Sequence, residues 1–292
     1  MGAYYDDGRG RYGTGESYDY FWQYAEDENV RIATSEDGLW TYAMKTDDEA
    51  EDGIELVRYN GDQTEIAVPG RVDGRTVTAL RCTFDGFYEL KRVSVPEGIT
   101  LIEGAFYGCE GLESITLPDS LEEMSYGLNC CYSLKEVKIP PHVRDFSWAF
   151  EGTELKTIVF PPGTEDISHA FMGSSVLRSA VVPGSVTDME EAFADCEALT
   201  DVVLEDGLRE IGDYAFYHCT ALRELTIPES VTVFGTLAVG FMELREYTDS
   251  RKMAYRIRGN AVIPGFRIRG RAGSQAERYA QENGISFTPI RE

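Results

Sequence analysis

A repeat of about twenty-two residues constrains this chain more than any other feature of its sequence. A leucine returns at successive spacings of 22, 22, 21, 22, 22, 23 and 22 residues. A fixed period of this size is typical of a solenoid, in which each repeat buries its apolar face against its neighbours. The leucines that define the period are Leu90, Leu112, Leu134, Leu155, Leu177, Leu199, Leu222 and Leu244.

Each repeat also contains the same short alternation of residue types. Apolar residues follow the leucine after three and five positions, and a proline usually comes next, as in Val93, Val95 and Pro96. The alternation predicts a short strand, and the proline ends it because proline cannot donate to a ladder. One further column of each repeat holds large rings, which we expect to stack in a continuous core: Phe84, Phe106, Phe150, Phe171, Phe193 and Phe216.

Three segments carry a family resemblance. Residues Ala105–Cys109, Ala192–Cys196 and Ala215–Cys219 each read Ala-Phe-x-x-Cys and precede a Leu-x-x-apolar-x-apolar strand. The pattern resembles the BspA-like subclass of bacterial leucine-rich repeat proteins and extends roughly from Leu39 to Phe287. The resemblance implies a strand-dominated α/β leucine-rich repeat solenoid, right-handed, with a concave parallel sheet. It also implies a surface adhesin or interaction module, and it brings no catalytic residues.

The ends of the repeat array need caps because a terminal repeat has no neighbour to cover its core face. Trp40–Ala43 and Ile54–Tyr59 predict two strands of the first cap, and Ser274 with Glu277 predicts a capping box that starts a terminal helix. The aromatic cluster Tyr18–Tyr24 is a short docking helix, a partner-binding motif, or part of a tail whose rings pack loosely on the first repeat. The predicted regions are a flexible acidic tail (1–28), a β capping unit (29–76), the repeats (77–248), and a distorted last rung with a helical cap (249–292).

Charge and hydropathy exclude several classes of partner. The net charge is −24, which argues against nucleic acid because phosphate contacts need clustered Lys and Arg. No run of eighteen apolar residues occurs, so we expect no membrane span. The N-terminus lacks the basic start and apolar centre of a signal peptide. The family resemblance implies an extracellular or cell-surface location, and a cytoplasmic protein is the alternative.

The strand positions that point away from the core form the first candidate binding surface. In leucine-rich repeat strands the fifth position faces the concave side, and three successive valines in the middle of this column predict an exposed apolar stripe. The alternative is that β-branched residues simply suit a strand. The candidate residues are Ser94, Thr116, Lys138, Val159, Val181, Val203 and Thr226.

A second candidate surface is a column of rings just before the buried Ala-Phe pairs. Exposed rings in a row could stack on the faces of sugars, or they could pack partly between neighbouring rungs. The column contains Tyr126, Trp148, His169 and Tyr214. A separate basic cluster, Arg267, Arg269 and Arg271, could contact an anionic glycan or wall polymer, although acids interleaved with the bases would give a solvated, ion-paired edge instead.

Catalytic and metal-binding patterns are absent from the sequence. The three histidines fall in different columns, and none has a Cys or Ser partner at the spacing of a dyad. We therefore predict no enzyme and no cofactor. The acidic loop Asp47–Asp52 could hold calcium, but its spacing is not that of an EF-hand, and a solvated loop is the alternative. Four cysteines share a column with Phe, Thr and Ser, which predicts free buried thiols: Cys109, Cys131, Cys196 and Cys219.

The sequence therefore predicts a non-enzymatic module that binds a host or matrix protein through its concave sheet. A carbohydrate-binding surface module and an intracellular scaffold protein are the alternatives.

Overall fold

The computed structural model describes residues 4–6, 12–14, 30–45, 53–247 and 255–290 of the 292-residue chain. The chain forms two compact units, Met1–Leu155 and Lys156–Glu292. The Tyr18–Tyr24 cluster, the Asp47–Asp52 loop and most of the predicted tail lie outside the described residues.

The first unit begins with antiparallel strands and continues as a parallel coil. β5 pairs antiparallel with β4 and parallel with β8, so it joins the cap to the first rung. The strands predicted at Trp40–Ala43 and Ile54–Tyr59 are confirmed as β4 and β5. The strands of this unit are β1 (Tyr4–Asp6), β2 (Tyr12–Thr14), β3 (Val30–Thr34), β4 (Trp40–Lys45), β5 (Gly53–Tyr59), β6 (Glu65–Ala67), β7 (Arg71–Val72), β8 (Arg75–Arg81), β9 (Arg92–Ser94), β10 (Leu101–Glu103) and β11 (Ser114–Thr116).

The repeat strands of this unit have the predicted alternation. β6, β9 and β11 are parallel neighbours, in which Val93 pairs with Ile115 and Ser94 pairs with Thr116. Val93 and Ile115 are buried, whereas Ser94 and Thr116 are exposed. Because successive side chains of a strand point to opposite faces, one face of each rung joins the core and the other meets solvent.

Stacked rings form the core of the first unit, as predicted. Phe84 and Phe106 lie 5.2 Å apart between ring centroids, with only 8° between their planes. Tyr59 of the cap lies 5.7 Å from Phe84, and Trp40 lies 4.9 Å from Tyr59. The cap therefore extends the ring column and covers the core face of the first rung.

The second unit contains two three-stranded parallel sheets and the terminal cap. One sheet has the order β12-β13-β14, and the other has the order β16-β20-β21. Its elements are β12 (Thr157–Val159), β13 (Ser179–Val182), β14 (Asp201–Leu204), β15 (Glu210–Ile211), β16 (Glu224–Thr226), β17 (Val233–Phe234), β18 (Phe241–Tyr247), β19 (Tyr255–Val262), β20 (Arg267–Gly270), α1 (Gln275–Glu282) and β21 (Ser286–Pro289).

The ring column is also present in the second unit. Phe193 lies 6.2 Å from Phe171 and 5.2 Å from Phe216, and the ring planes are within 13° of parallel. All three side chains are fully buried. Together with the parallel strands, this column confirms the leucine-rich repeat solenoid in each unit.

Two repeats depart from the predicted pattern. The segment after Leu134 forms no ladder strand, and its Val137 and Ile139 are only half-buried. Two consecutive prolines follow this segment and cannot donate hydrogen bonds. Leu244 does not occupy the leucine column; it is 45% exposed, at the irregularity of an antiparallel hairpin formed by β18 and β19.

The terminal helix has the predicted buried face but only half of the predicted capping box. Ala276, Tyr279 and Ala280 are buried. Glu277 accepts a hydrogen bond from the Gly273 backbone N–H at 2.6 Å, whereas the Ser274 side chain makes no capping hydrogen bond. The glutamate half of the capping box is therefore present, but it accepts from Gly273 instead of Ser274. The serine half of the box is absent.

Candidate functional site

The three valines predicted to be exposed form one row across neighbouring strands of the second unit. Val159 of β12 pairs with Val181 of β13, which pairs with Val203 of β14. Val159 is 62% exposed and Val203 is 55% exposed, and Val181 between them is half-buried. The outward position of this row follows from the burial of Ile158 and Ala180, which point to the opposite face. We call these three residues the valine row.

Polar residues flank the valine row along the strands. Thr157, Ser179 and Asp201 are paired with one another in the same register and lie two residues before the valines, on the same face. Lys156 and Arg178 come one residue earlier and are exposed. The row is thus an apolar stripe next to short hydroxyl side chains. Full burial of an exposed valine side chain contributes about 1.5–3 kcal/mol, so leaving this stripe in water has a cost.

The other candidates for the concave surface are polar. In the first unit, Ser94 and Thr116 are exposed neighbours, and the Lys138 Nζ lies 3.1 Å from Asp119 Oδ1 in an exposed ion pair. In the second unit, Thr226 of β16 is exposed and pairs with Arg269 of β20. Among the seven candidates, apolar character is therefore confined to the valine row.

Two members of the aromatic column stack on each other in the first unit. The rings of Tyr126 and Trp148 are 5.6 Å apart and within 5° of parallel. Tyr126 is 41% exposed and Trp148 is half-buried. Both residues have left-handed backbone conformations, with φ of 54° and 57°, and the Tyr126 N–H donates to the Ser147 carbonyl on the next rung. The turn thus presents a stacked aromatic pair at the surface.

The remaining two members of that column, His169 and Tyr214, lie in the second unit and have different surroundings. The His169 Nε2 lies 4.0 Å from the Glu191 Oε2, and Glu191 occupies the rung between His169 and Tyr214. Tyr214 instead meets Tyr217 edge-on, at 5.5 Å. Within the second unit, the Glu191 carboxylate therefore stands in the rung that separates His169 from Tyr214.

A buried histidine cluster was not predicted from the sequence. The His218 Nδ1 lies 2.7 Å from Asp195 Oδ1 and 3.2 Å from Arg245 Nη2, and Arg245 also bonds Glu243 at 2.7 Å. Asp195 and His218 occupy the same column on successive rungs, in left-handed positions where Gly173 and Gly240 stand on flanking rungs. The cluster ties β18 to the coil and satisfies the buried imidazole, which indicates a structural role.

The basic cluster near the end of the chain is ion-paired. Arg267 and Arg269 both lie within 3.6 Å of Glu224, and Arg271 lies 2.6 Å from Glu229. These acids offset much of the positive charge that an anionic glycan would need. Within the described ranges, no group of His, Cys, Asp and Glu is arranged to hold a metal ion, and no helix has the length and apolar character to cross a membrane.

Comparison with known proteins supports the repeat assignment. The family described as the BspA type leucine-rich repeat region matches this sequence in six copies, over residues 80–191 and 147–255. No curated protein matches the chain.

Solved bacterial leucine-rich repeat proteins are also similar to this chain. A T. pallidum leucine-rich repeat protein is 27% identical, with 70% of this chain and 83% of that chain covered and a TM-score of 0.45. A Bacteroides ovatus leucine-rich repeat protein is 18% identical, with coverage of 90% and 98% and a TM-score of 0.36. A protein of Faecalibacterium prausnitzii, described as a leucine-rich cell surface protein, is 15% identical, with coverage of 90% and 95% and a TM-score of 0.30.

Proposed function

The chain belongs to the BspA-type leucine-rich repeat family, and on that premise we propose that it is a non-enzymatic module that binds a host or matrix protein through the valine row. The observation that carries this proposal is the exposure of Val159 and Val203, at 62% and 55%, on the two rungs that flank Val181. A contiguous apolar stripe of this kind is costly to leave in water, and such stripes often mark protein-binding sites. The proposed site of action is the cell surface or the extracellular space, which the family membership supports.

Replacement of Val181 by glutamate tests this function. We expect Val181→Glu to weaken binding to purified extracellular-matrix proteins at least tenfold, because a charge in the centre of the stripe must be desolvated on binding. Binding to an immobilised panel of these proteins is measured by surface plasmon resonance. Circular dichroism should show an unchanged fold, because Val181 lies on the outward face of β13.

The matched control is Thr116→Glu, which adds the same charge at the equivalent position of a rung in the first unit. This variant should bind like the unchanged protein. Undiminished binding by Val181→Glu would show that the valine row is not the binding surface. A panel on which no protein binds would contradict a matrix partner.

The stacked rings favour a second candidate function, the binding of a neutral glycan. Tyr126 and Trp148 offer an exposed edge of a parallel aromatic pair, and aromatic side chains of this kind can pack against the apolar face of a sugar. On a glycan array, Trp148→Ala should abolish any signal. Tyr88→Ala removes another exposed ring that lies outside the pair and should retain the signal. An array signal that persists in Trp148→Ala would exclude the stacked pair as the sugar site.

A further inference from the structure

The spacing of the valine row restricts the kind of backbone that can follow it. β12, β13 and β14 are parallel neighbours in continuous register, so the row crosses the strands at right angles. Neighbouring strands lie about 4.8 Å apart, which gives a separation of about 9.6 Å between the first and third valine. A partner that contacts all three valines must present apolar side chains at nearly this interval.

An α-helix meets this requirement better than an extended strand. Helical residues at i, i+4 and i+7 lie on one face and span about 10.5 Å, within about 1 Å of the row. Residues on one face of a strand recur every 6.6–6.8 Å, so three of them span about 13 Å. A strand laid across the row would therefore lose contact by the third valine, whereas a helix would keep one apolar side chain beside each valine.

Positive charges beside the valine row favour a helix that carries acidic side chains. Lys156 and Arg178 are exposed on successive rungs, and neither takes part in an ion pair with any described residue. Two bases of the first unit do take part in ion pairs, because Lys91 pairs with Glu113 and Lys138 pairs with Asp119. Two uncompensated cations next to an apolar stripe complement acidic side chains on the flank of a partner.

The side chains beside the valine row are short, which leaves room for a helix. Thr157 and Ser179 have short side chains and lie between the valines and the two cations. An acidic side chain on a helix above them can reach over these hydroxyl groups to the cations. Asp201 continues the same row on β14, so the positive flank is limited to the β12 and β13 side.

We propose that the valine row binds an amphipathic α-helix with apolar residues at i, i+4 and i+7 and acidic residues along the flank that faces Lys156 and Arg178. The partner is thus a protein segment that forms an acidic helix and places its apolar face on the outward face of β12, β13 and β14. This inference rests on the proposed function of the row.

Three labelled peptides of about 18 residues test the helix, since this length allows several helical turns. The first has apolar residues at helical spacing with glutamates on one flank. The second has the same composition with the apolar residues at alternate positions, and the third is the first with lysines in place of glutamates. Fluorescence anisotropy with the full chain at low ionic strength should give at least tenfold tighter binding for the first peptide than for either of the others.

Variants of the protein test whether peptide binding depends on Val181, Lys156 and Arg178. Val181→Glu should weaken binding of the first peptide at least tenfold, and Thr116→Glu should leave it unchanged. The double variant Lys156→Gln and Arg178→Gln should remove most of the preference for glutamate over lysine. Equal binding of the acidic and basic helical peptides to the unchanged protein would overturn the charge complementarity.

A displayed library of random peptides separates failure of this inference from failure of the proposed function. Peptides are selected on the unchanged protein and then tested on Val181→Glu. Selected peptides that need Val181 and have helical apolar spacing support the helix. Selected peptides that need Val181 but alternate like a strand overturn the helix and leave the row as a binding surface. Selection of no peptide that needs Val181 would overturn the proposed function together with the inference.

Discussion

Phe193→Ala is expected to lower the free energy of unfolding by about 3–5 kcal/mol. The Phe193 ring is fully buried and lies between Phe171 and Phe216, at centroid distances of 6.2 and 5.2 Å. Its removal takes away the apolar area of the ring and leaves a cavity, because rings on both sides are held by their own rungs and cannot collapse into the space. The unfolding midpoint in urea measures the change.

Val203→Ala is the control for this prediction. It removes two methyl groups from a side chain that is 55% exposed, and substitutions at such surface positions usually change stability by less than about 0.5 kcal/mol. A change of less than about 1 kcal/mol in Phe193→Ala would contradict the role of the ring column in the core. A change in the slope of the urea transition would indicate that the repeats no longer unfold together.

The sequence predicts the core well because a repeat makes many positions equivalent at once. Phe106, Phe150 and Phe193 come from different repeats, yet each is fully buried, as equivalent positions of a repeat require. The same reasoning places Val159 and Val203 outside, since the strand alternates between the two faces. The repeat period that the leucines define is sufficient to predict both the buried rings and the exposed valines.

The prediction fails where the chain leaves that register. Leu244 has the right spacing for the leucine column, but the spacing alone does not reveal that β18 turns back on β19 as an antiparallel hairpin. The missing proline after Leu244 is the signal that the rung is not regular. The rung that follows Leu134 fails in a different way, because the apolar residues of the repeat pattern are present but no strand forms.

The candidate surfaces were predictable in part. The valine row needs only the register of β12, β13 and β14, whereas its uncompensated cations depend on where nearby acids point. The histidine cluster joins two column neighbours, Asp195 and His218, to Arg245 of the hairpin. The first two could have been paired from the repeat, since they stand one rung apart. Arg245 could not, because its position depends on the fold of β18 rather than on the period.

The cysteines of the folded chain are expected to react slowly with alkylating reagents. The six cysteines are free thiols, and four of them are fully buried in the column predicted from the sequence. Each of these four thiols lies within 3.3 Å of the carbonyl oxygen of a ring-column phenylalanine, for example Cys109 on Phe84 and Cys219 on Phe193. Burial raises the pKa of each thiol, so the reactive thiolate is scarce in the folded protein.

Cys82 lies outside that column and also has a raised pKa. Burial, with a smaller contribution from the nearby Asp85 carboxylate, raises the pKa of this thiol from 9.0 to about 12. At about pH 8 the thiolate fraction is therefore roughly a thousandfold smaller in the folded chain than in the unfolded chain. Alkylation of Cys82 by iodoacetamide, followed by mass spectrometry of the modified peptide, should be slower by about this factor in buffer than in urea.

The same pKa shift predicts how stability depends on pH. A thiol with a raised pKa stays protonated in the folded chain after it has ionised in the unfolded chain. Its contribution to stability is therefore complete below about pH 9 and is lost as the pH rises toward about 12. Cys82→Ser removes this ionisation and should flatten the decline over that range. Equal alkylation rates of Cys82 in buffer and in urea would instead mean that this thiol is open to solvent and ionises normally in the folded protein.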